Sequence, residues 1–157
     1  MTPVEIHSAL LEHFGDLIGE WHEPEAGDSF LTVKAEGLHK ICAWLKEDSK
    51  LAFDYLRLIT AVDRTECFSS VYHLYSYTHK HAFVLRVDLA KEDPTVASVS
   101  DLWPTADWQE REAFDMMGIV YTGHPNLRRI LLPLDWEGHP LRKDYEDPTE
   151  YHGIKHD

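Results

Sequence analysis

Apolar residues first recur at helical spacing: Ile6, Leu10, Phe14 and Leu17 follow one another at steps of three or four. Before them stands Thr2-Pro3-Val4-Glu5, a capping box with proline at the first helical position, so a helix is predicted to run to about Phe14. Gly15 to Gly27 reads as a polar loop, and Ser29 to Lys34 alternates like a short strand. Leu38, Ile41, Cys42 and Leu45 form the apolar stripe of a second helix. Three runs rich in β-branched and aromatic residues follow, Phe53 to Val62, Phe68 to Tyr77 and Ala82 to Leu89. The Thr-His-Lys-His stretch at 78–81 is short enough to turn a hairpin, so the runs predict an antiparallel meander. Val96 to Trp103 reads as a linker closed by Pro104. Thr105 reads as the cap of a third helix, from about Ala106 to Met117, terminated by Gly118. The order predicts an α+β fold, a small antiparallel sheet with helices packed on one face.

Beyond Gly118 the pattern changes. From Ile119 onward there is no sustained helical or strand period, and Pro125, Pro133, Pro140 and Pro148 remove backbone donors at intervals that forbid a long helix or central strand. The segment nevertheless holds Ile119, Val120, Tyr121, Leu127, Ile130, Leu131, Leu132, Leu134, Trp136, Leu141 and Tyr145. That is too apolar for a disordered tail and too long for an ordinary loop. The expectation is a body at 1–117 and a long extended C-terminal arm at 118–157, too irregular to be core and ordered by another protein.

Composition narrows the function. At 157 residues, 43% hydrophobic, the chain suits one domain with one core and an appendage. Cys42 and Cys67 fall in different predicted elements with no C-x-x-C, which encodes neither a disulfide framework nor a zinc or iron–sulfur site and sets a reducing compartment as the expectation. No apolar run approaches the roughly 18–20 residues of a membrane span, and no basic flank with an apolar stretch opens the chain, so neither insertion nor export is expected. A net charge of −13 argues against nucleic acid as a partner. Between His124 and Tyr145 four basic residues (Arg128, Arg129, Arg142, Lys143) face three acidic ones (Asp135, Glu137, Asp144), a local +1 that suits docking on an acidic protein groove.

The candidate chemistry lies on the third helix and the arm. Glu110, Arg111 and Glu112 are consecutive, so they point about 100° apart and cannot all share one solvent face. At least one must approach protein, so the preferred reading is a charged node clamped by the arm or a partner; Arg111 with Asp115 is an i, i+4 pair of the less favourable orientation. Glu112 and Asp115 are the carboxylates an acid/base pair would use, but no nucleophile with a base, dinucleotide loop, P-loop or H-E-x-x-H completes a site, so no catalytic residue is assigned. His79/His81 and His152/His156 invite a metal but offer only two ligands each, and no metal site is assigned. His124-Pro125 and His139-Pro140 read as turn formers. Arg128, Arg129 and Arg142 suit bidentate pairing with carboxylates on a neighbour, and Tyr121, Trp136 and Tyr145 are the residue types that anchor interface cores.

Three blocks in order, Glu110-Arg111-Glu112-Ala113-Phe114-Asp115-Met116-Met117-Gly118-Ile119, His124-Pro125-Asn126-Leu127-Arg128-Arg129-Ile130-Leu131 and Pro140-Leu141-Arg142-Lys143-Asp144-Tyr145, resemble the signature of a known family. It is the 30-kDa subunit family of NADH-quinone oxidoreductase, respiratory complex I. Trp103-Pro104 through Trp108 extends the likeness, and before about residue 95 only the element order matches. The resemblance implies a cofactor-free structural subunit of the hydrophilic arm, packed on the 49-kDa-type subunit beside the iron–sulfur subunits. FMN, iron–sulfur clusters and quinone are then expected in those partners. It implies a peripheral position on the cytoplasmic side of the inner (plasma) membrane, with oxidoreductase and ion-translocating activity belonging to the assembly. The related subunit of a membrane-bound nickel–iron hydrogenase or other donor-linked dehydrogenase is the alternative of the same fold.

Overall fold

The computed structural model describes residues 1–155 of the chain, and its first helix begins where the capping box sets it. In α1 (Pro3–Phe14) the Glu5 amide donates to Thr2 Oγ1 at 3.3 Å, and the Thr2 amide donates back to Glu5 Oε2 at 2.7 Å. Ile6 and Leu10 are fully buried, as the spacing predicts.

The stretch expected to be a polar loop instead contains β1 (Ile18–His22), which pairs antiparallel with β2 (Phe30–Val33). Its register is irregular between Ile18 and Trp21, so the period-2 signature of a strand is broken at the sequence level. Trp21 stacks on Phe83 at 5.7 Å, which supplies an apolar anchor that composition alone did not locate. Gly19 is needed there, since a Cβ would sit 2.9 Å from the Thr32 carbonyl oxygen.

After α2 (Leu38–Glu47) come β3 (Tyr55–Asp63), β4 (Cys67–Ser76) and β5 (His81–Ala90), an antiparallel meander as predicted. The sheet as a whole is mixed, however, with order β1-β2-β5-β4-β3, because β2 joins β5 in parallel through Leu31↔Leu85 and Thr32↔Arg86. The expectation of a purely antiparallel sheet is corrected here. The physical reason is the crossover: β2 and β3 run the same way with α2 between them, and the β4–β5 hairpin folds back into the gap.

A second small sheet replaces the predicted linker. β6 (Thr95–Ala97) pairs in parallel with β7 (Val120–Thr122), and α3 (Ala106–Met117) is the connection between them. Ile119 and Tyr121 are 0% and 1% exposed, so the start of the arm, expected to be too irregular for core, is core. Three-residue strands are too short to display a period, which is why the pattern hid them. Thr105 does not cap α3 with its side chain; its hydroxyl donates to the Leu56 carbonyl at 3.3 Å and ties the helix to β3. A terminal hairpin, β8 (Glu150–Tyr151) and β9 (Ile154–Lys155), closes the described chain, and His156 of the His152/His156 pair lies outside it.

One cluster gathers Ile6 and Leu10 of α1, Leu38, Ile41, Cys42 and Leu45 of α2, and Ala106, Ala113 and Met117 of α3. They pack against alternate residues of the sheet, among them Leu31, Phe68, Tyr72, Leu74, Phe83, Leu85 and Val87. The helices therefore share one face of the sheet. Each such large side chain contributes about 1.5–3 kcal/mol on burial. Both cysteines are free thiols.

Candidate functional site

On α3 the usual polarity is inverted. Glu110 and Asp115 are 0% exposed and Arg111 9%, while Trp108 stands 69% exposed. The prediction that the consecutive charges cannot all face water holds: Glu110 and Arg111 are buried and Glu112 is exposed. The partners differ from those expected. Asp115 does not receive Arg111. Its carboxylate accepts from Arg129 Nη1 at 2.7 Å and from the amides of Ile130, Leu131 and Leu132 at 2.9, 2.8 and 2.9 Å. Arg111 donates instead to the Arg128 and Arg129 carbonyls at 3.2 and 3.3 Å. Neither contact is local in sequence, so i, i+4 spacing could not find them.

The arm runs along α3 from its first turn to its last. His124 donates from Nε2 to the Asp107 carbonyl at 3.1 Å, while the Asn126 amide donates to its Nδ1 at 3.0 Å. An N–H aimed at Nδ1 meets a lone pair there, which leaves Nε2 as the donor nitrogen towards Asp107. At the far end the arm covers the helix C-terminus. Arg129 and His139 both donate to the Asp115 carbonyl, the Leu141 amide to Met116, and Arg142 Nε to Met117. The last carbonyls of a helix lack intrahelical donors and carry partial negative charge, so two arginines there satisfy both needs. Burial pushes the His139 imidazole down, against the Asp115 carbonyl and together with Arg142 and Arg129. The Arg142 guanidinium also lies 4.8 Å from the centre of the Phe68 ring.

Two buried acids close the arrangement. Asp63 at the end of β3 receives the Lys143 amide at 2.8 Å and Lys91 Nζ at 2.7 Å, which hold its carboxyl below the ordinary range. Among the described residues no lysine or arginine pairs with Glu110. It accepts from the Ser98 hydroxyl at 2.5 Å and the Val99 amide at 2.7 Å, and His124 Nε2 stands 3.9 Å away. Burial pushes its carboxyl up to about 7, against those two hydrogen bonds and with help from Asp101 and Asp107.

The arrangement is a clamp and offers no general acid/base pair. Asp115 is saturated by donors, while Glu112 lines a shallow cleft of about 110 Å³ with Leu58, Thr60, Met116 and Leu141. His79 and His81 each place Nε2 2.8 Å from a backbone carbonyl, of Ser49 and Leu51. Of the residues singled out from sequence, Glu110, Arg111, Asp115, His124, Arg129 and Arg142 are gathered on α3 and its ends. Trp136 and Tyr145 meet each other, indole Nε1 donating to the phenol oxygen at 3.1 Å. Arg128, Lys143, Asp144 and Pro125 are exposed, and Pro140 is half-buried. Sequence reasoning missed Asp63, Lys91 and Ser98, which reach the site only through tertiary contacts.

Gly118 gains a second role here. Its φ is +74°, and a Cβ would collide with Arg142 Nη2 and lie 2.6 Å from His139 Nε2. Gly118→Ala is expected to lower stability by at least about 1–3 kcal/mol, from left-handed backbone strain plus displacement of the arm. Thermal unfolding measures it; a wild-type melting temperature would show that the arm does not close on the helix end.

Residues 31–151 match the family model described as the respiratory-chain NADH dehydrogenase, 30 Kd subunit. An NADH-quinone oxidoreductase subunit of Chloroherpeton thalassium is 41% identical over 151 residues, 95% of this chain and 63% of that one. The corresponding protein of Chlorobium phaeobacteroides is 37% identical over 152 residues, 95% of this chain and 92% of that one. The chain thus spans less than two thirds of the first relative and nearly all of the second. Among solved structures, a trypsin-resistant fragment (1-134) of Nqo5 superposes with TM-score 0.67 at 29% identity, over 80% of this chain and 100% of that one. A chain of a membrane-bound sulfane sulfur reductase, an archaeal respiratory membrane complex, shares the fold with TM-score 0.73 at 23% identity, over 91% of this chain and 85% of that one. With the family model covering α2, β3 to β7, α3 and most of the segment that follows it, the chain belongs to the 30-kDa subunit family of respiratory-chain NADH dehydrogenases.

Proposed function

We propose that the chain is a cofactor-free structural subunit of the hydrophilic arm of a proton-pumping NADH:quinone oxidoreductase. Its role is to hold the quinone-reducing and iron–sulfur subunits in register. The observation that carries this reading is the clamp itself. The buried polar groups of α3 engage the arm from within the same chain, which fixes an irregular segment in one shape. Leu131 and Leu134, 62% and 75% exposed, and the exposed Arg128 and Lys143 then stand as a preformed apolar and basic ribbon. Preformed interfaces lose less conformational freedom on association than segments that order only on binding.

The partners proposed are the 49-kDa-type subunit and the adjacent iron–sulfur subunits, with 118–157 as the partner-binding segment and 1–117 as the body. FMN, the clusters and quinone belong to those partners. No helix among the described residues is long and apolar enough to cross a membrane, and a peripheral position on the cytoplasmic side of the inner (plasma) membrane is proposed with the assembly.

Two activities test the reading in membranes lacking the chain. NADH oxidation with quinone should fall to background. NADH oxidation with an artificial acceptor, which needs only the flavin-bearing part, should be comparatively spared. A stable complex without the chain that reduced quinone at normal turnover would overturn the scaffold role.

A further inference from the structure

The five-stranded sheet has a second face, opposite the three helices. Register pairs its residues in rows: Tyr55–Tyr75–Ala82, Leu58–His73–Val84, Thr60–Val71–Arg86 and Val62–Ser69–Asp88. A sheet face left to water normally alternates polar residues into such rows. Here every row places at least one aromatic or aliphatic residue at β3 or β4, and the Tyr55–Tyr75 row is aromatic on both strands. Tyr55, Leu58 and Val62 are 37%, 44% and 38% exposed, and Tyr77, just past β4, is 64% exposed. Tyr77 sits 5.4 Å from Tyr55 and 5.1 Å from Tyr75, ring centre to ring centre, so the three tyrosines form one contiguous corner.

Charge distinguishes these strands, counted over both faces and their turns, from the rest of the molecule. From Asp54 to Lys91, five basic residues (Arg57, Arg64, Lys80, Arg86, Lys91) stand against four acidic ones (Asp54, Asp63, Glu66, Asp88), a local +1 in a protein of −13. Asp63 is buried and paired with Lys91. Arg86 is paired with Asp88 at 2.9 Å. Arg57 lies over Tyr75 at 5.4 Å from the ring centre, and among the described residues no carboxylate comes within ion-pair distance of it. A guanidinium stacked on a tyrosine is prepared for a carboxylate without further ordering, and tyrosine and arginine are the residue types that dominate interface energies.

We propose that this open face is a second docking surface, whose occupant is a partner-protein surface presenting apolar side chains around a carboxylate that pairs with Arg57. The inference rests on the subunit reading above and adds to it a surface separate from the arm ribbon. An acidic partner meets less repulsion over these strands than over most of the molecule, with Asp54, which accepts from the Tyr77 amide at 3.0 Å, the carboxylate beside the tyrosine corner.

The test uses the assembled complex. Variants Arg57→Glu and Tyr77→Ala are expressed in place of the native chain, beside Lys40→Glu on the helix side as an equal charge change and Arg128→Glu in the arm. Incorporation into the complex is read on native gels, and folding from the melting temperature of each purified variant. The expected result is about a tenfold or greater loss of incorporation for Arg57→Glu at unchanged melting temperature, with Lys40→Glu like wild type. Hydroxyl-radical footprinting of the wild-type chain needs no variant: Tyr55 and Tyr77 should be oxidised severalfold more slowly in the complex than in the isolated chain. Equal oxidation in both states, or Arg57→Glu incorporating like Lys40→Glu, overturns the proposal. If Arg128→Glu alone fails to assemble, the subunit reading stands and the open face is refuted. Self-association of the isolated chain that Arg57→Glu abolishes, or binding of a fluorescent single-stranded oligonucleotide that Arg57→Glu abolishes, overturns it by naming a different occupant.

Discussion

Replacing Asp115 by alanine is expected to release the arm and to lower stability by about 3–5 kcal/mol, the usual cost of removing one partner of a buried charged pair. For a domain of this size that is a fall in melting temperature of roughly 10 °C. The size follows from what would be stranded: the Arg129 guanidinium and three consecutive amides, of Ile130, Leu131 and Leu132, all now accepted by one carboxylate. Alanine offers them nothing, and asparagine has one carbonyl oxygen and presents an NH2 to the remaining donors. Amide exchange at 130–132 should rise towards unprotected rates in Asp115→Ala, and trypsin should begin to cut at Arg128 and Arg129. An unchanged melting temperature with those amides still protected would show that the clamp is not what orders the arm. The pH sign is fixed by the same contacts. Burial is the largest influence on the Asp115 carboxyl and raises it, but the Leu132 amide, Arg129 and the Leu131 and Ile130 amides together hold it below its ordinary value. A lowered carboxyl stabilises fully above the unfolded carboxylate range, and that stability is lost as pH falls through the folded pKa.

Glu110 should act in the opposite direction and in a different window. Its folded carboxyl is raised from 4.5 to about 7, so the native state holds a proton that the unfolded chain releases. Stability from this group is therefore greatest below about 4.5 and declines as pH rises to about 7, by about 3 kcal/mol at 1.36 kcal/mol per unit. Glu110→Gln keeps the carbonyl oxygen for the Val99 amide and removes the charge. The variant should be flat with pH across that window and more stable than wild type at pH 8. Denaturant titrations at pH 5 and pH 8 measure both chains. Parallel curves for wild type and Glu110→Gln would mean that the carboxylate is already compensated when ionised. Because the Asp115 contribution disappears only in acid, one pH series separates the two groups.

The parts of this molecule legible in the sequence are those whose physics is local. The Thr2–Glu5 capping box is closed within four residues, the α2 stripe repeats over ten, and the β3–β5 strands are long enough for their composition and length to show. Gly118 ends α3 as read, because a left-handed residue is a local requirement. β1 was hidden by its irregular register, and β6 and β7 by their three-residue length. For the site, the adjacency of Glu110, Arg111 and Glu112 required burial of at least one charge, but the i, i+4 spacing of Arg111 and Asp115 did not give the partner of either. The carboxylate chose Arg129 and three amides from 14 to 17 residues away. Within the chain, α3 accepts from or donates to the segment that follows it along its length, contacts that the irregular sequence pattern did not show.

From the sequence alone came the α+β class, the three helices, the meander and the family resemblance. All of these rest on residues close together along the chain. Tertiary structure alone decided that β2 enters the sheet in parallel, that Ile119 and Tyr121 belong to the core, which charge on α3 meets which partner, and which sheet face stays open. Those outcomes depend on the competition among distant donors, acceptors and apolar surfaces for the same buried space. A buried carboxylate takes whatever set of donors the packed chain brings within 3 Å, and no interval in the sequence encodes that set.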